Sequence, residues 1–316
     1  MAHKILKFFQ ESSSEKLQLP NEPLDESSLP FPIASNISLQ KYNSFVESKE
    51  ISGYKLDYKK GTIYIVEMCS TEHEAVVEII GDAFREQCPR AIYGSRNNAP
   101  IQIRGQPRNG ISSQFACSLT SYCVLILMFL SKVHDAPDGT RRAPDLAVYP
   151  HHTYVPDPPI KHPGPPPSDR SGNPYARVIL EVAVAQSSSD LRDKCRLWKR
   201  QSYVRSVLGI KLYDALATYD AAGRRERAMK AILWRQGVAR QKWHFGTVNK
   251  DGSPIGTTGC NAMNNPNYII NIPVIDIFYD PPIAAIGYTP LARLLPALFN
   301  AFVAIDLYEV QQAVLM

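Results

Sequence analysis

Apolar positions recur at a spacing of two over some stretches of the chain and at three to four over others, and the two periods divide it into elements. Gly61–Met68 (GTIYIVEM) is rich in β-branched and aromatic residues and predicts a strand. In the next stretch, Ser70-Thr71-Glu72-His73-Glu74, Ser70 or Thr71 is placed to cap a helix, and Glu74 stands at capping-box spacing from Thr71. Val76, Val77, Ile80 and Phe84 follow at helical period and predict a helix over Glu72–Cys88. Ala143–Tyr149 predicts a strand entered through a proline, a position where proline is tolerated. Arg177–Ala185 (RVILEVAVA) is almost continuously apolar, the pattern of a strand buried on both faces. Ser187-Ser188-Ser189 then offers caps, and Leu191, Cys195, Trp198 and Ser202 mark one face of a helix running to about Tyr203. Further strands are expected at Val204–Ala217, Ala228–Arg235, Lys242–Val248 and Tyr268–Tyr279. Pro290–Val314 carries a helical pattern broken at Pro296.

Between these elements the pattern weakens. Residues 1–60 have few periodic apolar positions and are expected as a partly ordered arm. Residues 91–115 suggest short strands and turns, and Ser118–Val133 is an apolar run for which helix and strand are equally open. Prolines crowd Pro150–Pro174, including Gly164-Pro165-Pro166-Pro167, so an extended loop or insertion is expected there. His151, His152 and His162 in it lack ligand spacing and are expected as solvated loop histidines. The expected organisation is therefore an arm (1–60), a central domain (61–280) with an insertion (150–174), and a C-terminal helical extension (281–316).

Composition narrows the class. The chain has 316 residues, 44% hydrophobic and 21% charged, which excludes wholesale disorder. Its six cysteines form no CxxC pair, as expected for reduced thiols inside a cell, in cytoplasm or nucleus. The N-terminus lacks the apolar core of a signal peptide. The longest apolar run, Tyr122–Leu130, is well short of the roughly 20 residues a membrane span needs. A net charge of +5 permits a polyanionic partner without demanding one. No GxxxxGK[ST] loop or GxSxG elbow is present, and His73-Glu74 begins an HExxH pattern that lacks its second histidine.

The residue out of place is Glu181, in the middle of Val178–Val184. An isolated buried carboxylate costs several kcal/mol unless it is neutralised, paired or coordinated. Strand alternation puts Ile179, Glu181 and Ala183 on one face; an edge strand showing that face to water is the ordinary alternative. Asp145 opens the strand after Arg141-Arg142-Ala143-Pro144. An Asp at one strand end and a Glu inside the next can converge on one hard cation, since Mg²⁺ takes one or two carboxylates plus waters and phosphate oxygens. Lys194 lies three residues after Leu191 and four before Trp198, on the inward helix face, with Gln201 on the same side. There it could hold a phosphate or position a water, or it could snorkel at the helix edge. Arg192, Lys194, Arg196, Lys199, Arg200 and Arg205 form a basic cluster, and Arg224, Arg225, Arg227 and Lys230 a second. Either would suit phosphate contacts or a solvated face.

Pro144-Asp145, Glu181-Val182, Gln186-Ser187-Ser188-Ser189, Asp190 and Lys194 together resemble the PD-(D/E)XK nuclease superfamily, and within it the restriction endonuclease family that reads PD, EV, small polar residues, then D…K on the next helix. The resemblance covers about residues 61–280. It implies a restriction-endonuclease-like α/β fold, a mixed central sheet flanked by helices with additional antiparallel strands. It also implies Mg²⁺-dependent (or Mn²⁺-dependent) phosphodiester hydrolysis of nucleic acid, DNA in preference to RNA. Asp145, Glu181 and Lys194 would be catalytic, Asp145, Glu181 and the Val182 carbonyl would hold the metal, and Glu74 would be an accessory acid or simply a capping residue. Gln186, Arg192, Lys199 and Gln201 would contact substrate, no membrane is implied, and a homodimer is open. One departure matters: Ala183 stands where the family pattern expects lysine, so Lys194 would have to substitute from the helix. Ala183 favours a second reading, an inactive nuclease-like scaffold that binds nucleic acid or protein. Asp145, Glu181 and Lys194 converging in an open cleft would favour catalysis, whereas Glu181 against a packed helix, or Lys194 pointing into bulk water, would overturn the catalytic reading.

Overall fold

A computed structural model describes residues 24, 28–47, 54–68, 70–87, 101–105, 134–135, 139–150, 174–278 and 301–316. The expectations for 118–133, for most of the Pro-rich stretch with its three histidines, and for the Pro296 break lie outside these residues. The chain divides into two compact units, one from Met1–Cys69 with Arg104–Pro144 and one from Ser70–Ile103 with Asp145–Met316.

In the first unit, the described residues between 31 and 47 and between 54 and 59, expected within an arm, form regular structure. β1 (Phe31–Ala34), helix α1 (Leu39–Glu47), β2 (Tyr54–Lys59) and β3 (Thr62–Met68) build a sheet in the order β1-β3-β2, with α1 beside it. Ile33, Ile37, Tyr42, Phe45, Ile63 and Ile65 form its core. Short strands β5 (His134–Asp135) and β6 (Arg141–Arg142) pair separately, and Arg142 bridges to Asp57 at 2.8 Å.

The second unit is built on a mixed six-stranded sheet in the order β11-β10-β9-β8-β7-β4. Its strands are β4 (Ile101–Gly105), β7 (Leu146–Pro150), β8 (Val178–Ala183), β9 (Ser206–Leu212), β10 (Ala228–Arg235) and β11 (Val238–Gly246). β8 and β9 run parallel, while β7–β8, β9–β10 and β10–β11 are antiparallel. A parallel pair needs a crossover, and helix α3 (Ser188–Lys199) supplies it. Helices α2 (Thr71–Gln87) and α5 (Leu307–Leu315) cover one face through Val76, Ile80, Phe84, Val310 and Val314; α3 covers the other through Leu191, Cys195 and Trp198. This double covering is why β8 is apolar at every position but Glu181. The structure is thus the mixed sheet flanked by helices that the sequence implied.

Several boundaries differ from expectation, and four of the differences have a physical reason. Of the two expected caps Ser70 is the one used on α2, its hydroxyl accepting from the His73 N–H at 3.1 Å; Glu74 then stands one residue beyond capping-box spacing and faces the His73 ring, Oε1 to Nδ1 3.3 Å. α3 stops at Lys199 rather than near Tyr203, because its last turn tightens, with Gln201 N–H donating to the Trp198 carbonyl. Within the C-terminal helical pattern, Phe302–Asp306 is a strand, β13, antiparallel to β12 (Ile269–Pro273); a short apolar run does not by itself distinguish strand from helix. A four-residue helix, α4 (Val274–Ile277), ends the expected Tyr268–Tyr279 strand early.

α3 sits close against β9 because position 209 has no side chain. A Cβ on Gly209 would lie 2.9 Å from Cys195 Sγ and 3.2 Å from the Trp234 ring. Gly209→Ala is expected to destabilise the protein by about 1–3 kcal/mol through overpacking, read as a lower midpoint in urea unfolding; an unchanged midpoint would mean that α3 shifts without penalty.

Candidate active site

The segment after Glu181 gathers the candidate residues. Asp145 precedes β7, one position beyond the last β7–β8 pair, Leu146 with Leu180. Its Oδ2 accepts the Val182 N–H at 2.7 Å, so Asp145 caps the backbone next to Glu181. Two residues on, the Val184 carbonyl accepts from Lys211 Nζ. Two further, Gln186 Oε1 accepts from Lys194 Nζ at 3.0 Å. Alternate positions 182, 184 and 186 therefore anchor one carboxylate and two ammonium groups, all buried.

The two carboxylates are engaged from opposite faces of the sheet. From the α2 side, His73 Nε2 lies 3.4 Å from Asp145 Oδ1. From the α3 side, Trp198 Nε1 donates to Glu181 Oε1 at 2.6 Å. Glu181 shares its face with Ile179 and Ala183, which pack with Trp198 as strand alternation requires. It is 2% exposed and faces the packed helix α3 rather than an open cleft. The Trp198 N–H satisfies one of its oxygens, which lowers the cost of burying it.

Lys194 is buried on the inward face of α3 with Leu191 and Trp198, as the helical spacing predicts. Gln186 is buried as its partner. Arg192 is exposed on α3. Lys199 is half-buried, and its carbonyl accepts from Gln236 Nε2 at 2.7 Å. Gln201 lies beyond the helix, off the face assigned to it. Of the second basic group, Arg224 pairs with Asp220 at 2.8 Å, Arg227 with Glu72 at 2.7 Å, and Arg225 donates to the Leu216 and Ala215 carbonyls. Those three brace the fold, and Lys230 alone of the four faces a cavity.

Two residues escaped the sequence reading as site candidates. His73 drew notice as the start of an incomplete HExxH pattern, and its approach to Asp145 depends on how α2 lies on the sheet. Lys211 sits in parallel register beside Ala183, on the face of Glu181, next to the position where the sequence resemblance leads one to expect a lysine. The available signal was a lysine inside the apolar strand SVLGIKL. The described cysteines offer no nucleophile: Cys195 is buried in the core, and burial together with the Asp306 charge pushes the Cys260 thiol up to about 12.

Mg²⁺ takes one or two carboxylates alongside waters and phosphate oxygens. Asp145 and Glu181 are the carboxylates this segment offers, each giving one oxygen to an N–H and each engaged from a different face of the sheet. Among the described residues no group of three or more His, Cys, Asp or Glu is arranged to hold a metal ion, so an ion requiring a full protein cage is poorly served. No described helix is long and apolar enough to cross a membrane.

No protein-family model matches the chain, and no curated protein does. Among solved structures it is similar to the crystal structure of "a putative nuclease belonging to DUF820" from Anabaena variabilis, at 12% identity and a TM-score of 0.34, over 66% of this chain and 84% of that one. A likeness that shallow carries no argument about chemistry, which rests on the residues above.

Proposed function

We propose that the protein acts on nucleic-acid phosphodiesters at this site, with Asp145 and Glu181 holding a magnesium-class cation that assists hydrolysis, on DNA in preference to RNA. The observation that carries this reading is the anchoring of Asp145, Lys211 and Lys194 at alternate positions after Glu181. A bound cation would polarise the phosphate and lower the pKa of a coordinated water. The chain's own groups do the rest. The Val182 N–H holds Asp145 in orientation, Gln186 holds Lys194, and the two ammonium groups supply positive charge for a phosphate. Lys211 stands where Ala183 leaves the superfamily pattern incomplete.

One observation favours the second reading, a nuclease-like scaffold that binds nucleic acid without cutting it: Glu181 is buried under α3 with Trp198 as its partner. Labelled DNA and RNA incubated with the protein in Mg²⁺, in Mn²⁺ and in chelator decide between them. Hydrolysis predicts products only with metal, abolished in Glu181→Gln, whose amide oxygen can still accept from Trp198, with affinity retained. Folded protein that binds but yields no products with either ion establishes the scaffold. Loss of cleavage and affinity together in Glu181→Gln would assign Glu181 to the fold.

A further inference from the structure

Register across the second unit's sheet reveals a cationic surface on Glu181's face. Glu181, Gly209, Ile232 and Lys242 align as one row across β8–β11, and Ala183, Lys211, Lys230 and His244 as the next. Beside the first turn of α3 this face opens into a cavity of about 290 Å³. Arg192, Lys211, Lys230, Arg240 and Lys242 line it, with Ser188 and Ser189, and no carboxylate does. Lys230 stands directly opposite Lys211, a like-charge cross-strand pair. The same field reaches His244, which burial and then Lys230 and Lys242 hold below the ordinary histidine range.

Lysine and arginine on an edge strand deter unwanted pairing. That accounts for Arg240 and Lys242 on β11, but not for Lys211 and Lys230 on the interior strands β9 and β10. Strands lie about 4.8 Å apart, so the cations from β9 to β11 spread over roughly 10 Å. That width suits successive phosphodiesters better than a single small anion.

We propose that this cavity is a phosphate-binding cleft that holds the backbone of a nucleic-acid strand on the Glu181 face of the sheet. It deepens the nuclease-like reading and rests on it for the identity of the ligand. Phosphate contacts of this kind give affinity with little sequence dependence. Lys211, which lines the cleft and also bonds Val184, joins it to the segment that anchors Asp145.

The test measures binding in chelator, where nothing is cleaved, so its result does not depend on whether the protein is an enzyme. Fluorescence anisotropy with labelled single-stranded and duplex DNA compares the wild type with Arg240→Gln/Lys242→Gln. Both positions are exposed, and unfolding curves confirm that the variant folds. A control of equal charge change, Arg196→Gln/Arg200→Gln, is exposed and outside the cleft lining. The expected result is an affinity loss of about tenfold or more, with the slope of log K against log salt shallower by about two for the cleft variant, and little change for the control. Equal loss in both variants, no loss in the cleft variant, or no binding by the wild type would overturn the proposal. So would displacement of DNA by a mononucleotide or inorganic phosphate as readily as by unlabelled DNA, which would make the cavity a small-anion pocket. Metal-dependent cleavage by a protein whose cleft variant binds normally would leave the nuclease reading standing and remove only the cleft.

Discussion

Asp145→Asn is expected to lower metal-dependent cleavage on the order of a thousandfold while leaving the fold intact. The magnitude follows from the several kcal/mol of charge stabilisation that a bound cation supplies to a phosphoryl transition state. The fold is spared because the asparagine carbonyl can still accept the Val182 N–H that Asp145 takes at 2.7 Å. Single-turnover cleavage of a labelled duplex, beside a thermal unfolding curve of the same preparation, measures both. Undiminished cleavage would remove Asp145 from the chemistry. A collapsed unfolding midpoint would instead show that the approach of His73 to Asp145, 3.4 Å from Nε2 to Oδ1, is a structural tie that the amide cannot keep.

The second large effect concerns the opposite face. Trp198→Phe keeps an aromatic ring in the core but deletes the N–H that Glu181 accepts at 2.6 Å. A buried charged group that loses this donor should cost on the order of 3 kcal/mol, read from urea unfolding. Much of that loss should vanish in Glu181→Leu/Trp198→Phe, where no charge remains to be satisfied. A cost below about 1 kcal/mol would mean that water reaches Glu181 once the indole is gone, and that α3 opens readily enough to admit a substrate or an ion.

Much of the central sheet was legible because burial writes itself into the chain. The apolar run ending at Ala185 marked β8, the span of β10 was read without error, and the spacing of Leu191, Lys194 and Trp198 put a lysine on the inward side of α3. Asp145 and Glu181 stood out for the same reason, as carboxylates where apolar residues were expected. What bonds to them did not. Trp198 reaches Glu181 from α3, His73 reaches Asp145 from α2, and Lys211 neighbours Ala183 only because β8 and β9 run parallel in that register. Register is set by how strands pair, and a one-residue slip would turn Lys211 to the other face. The basic residues show the same limit. Arg224, Arg225 and Arg227 resembled a phosphate-binding run, yet carboxylates and carbonyls of the fold claim them. Lys242 and Arg240 drew less notice in the sequence and line the cavity.

The positions of α2 and α5 bear on how the second unit comes to be made. Val76, Ile80 and Phe84 of α2 share one core with Leu307, Val310 and Val314 of α5, although nearly the whole unit separates them along the chain. During synthesis α2 leaves the ribosome long before its partner exists, so its apolar stripe waits uncovered while the sheet is still being translated. Contacts of such separation slow folding, and surfaces exposed in the interval invite aggregation. A chain cut before Phe302 should therefore need a chaperone or precipitate, even though every candidate site residue would already be present.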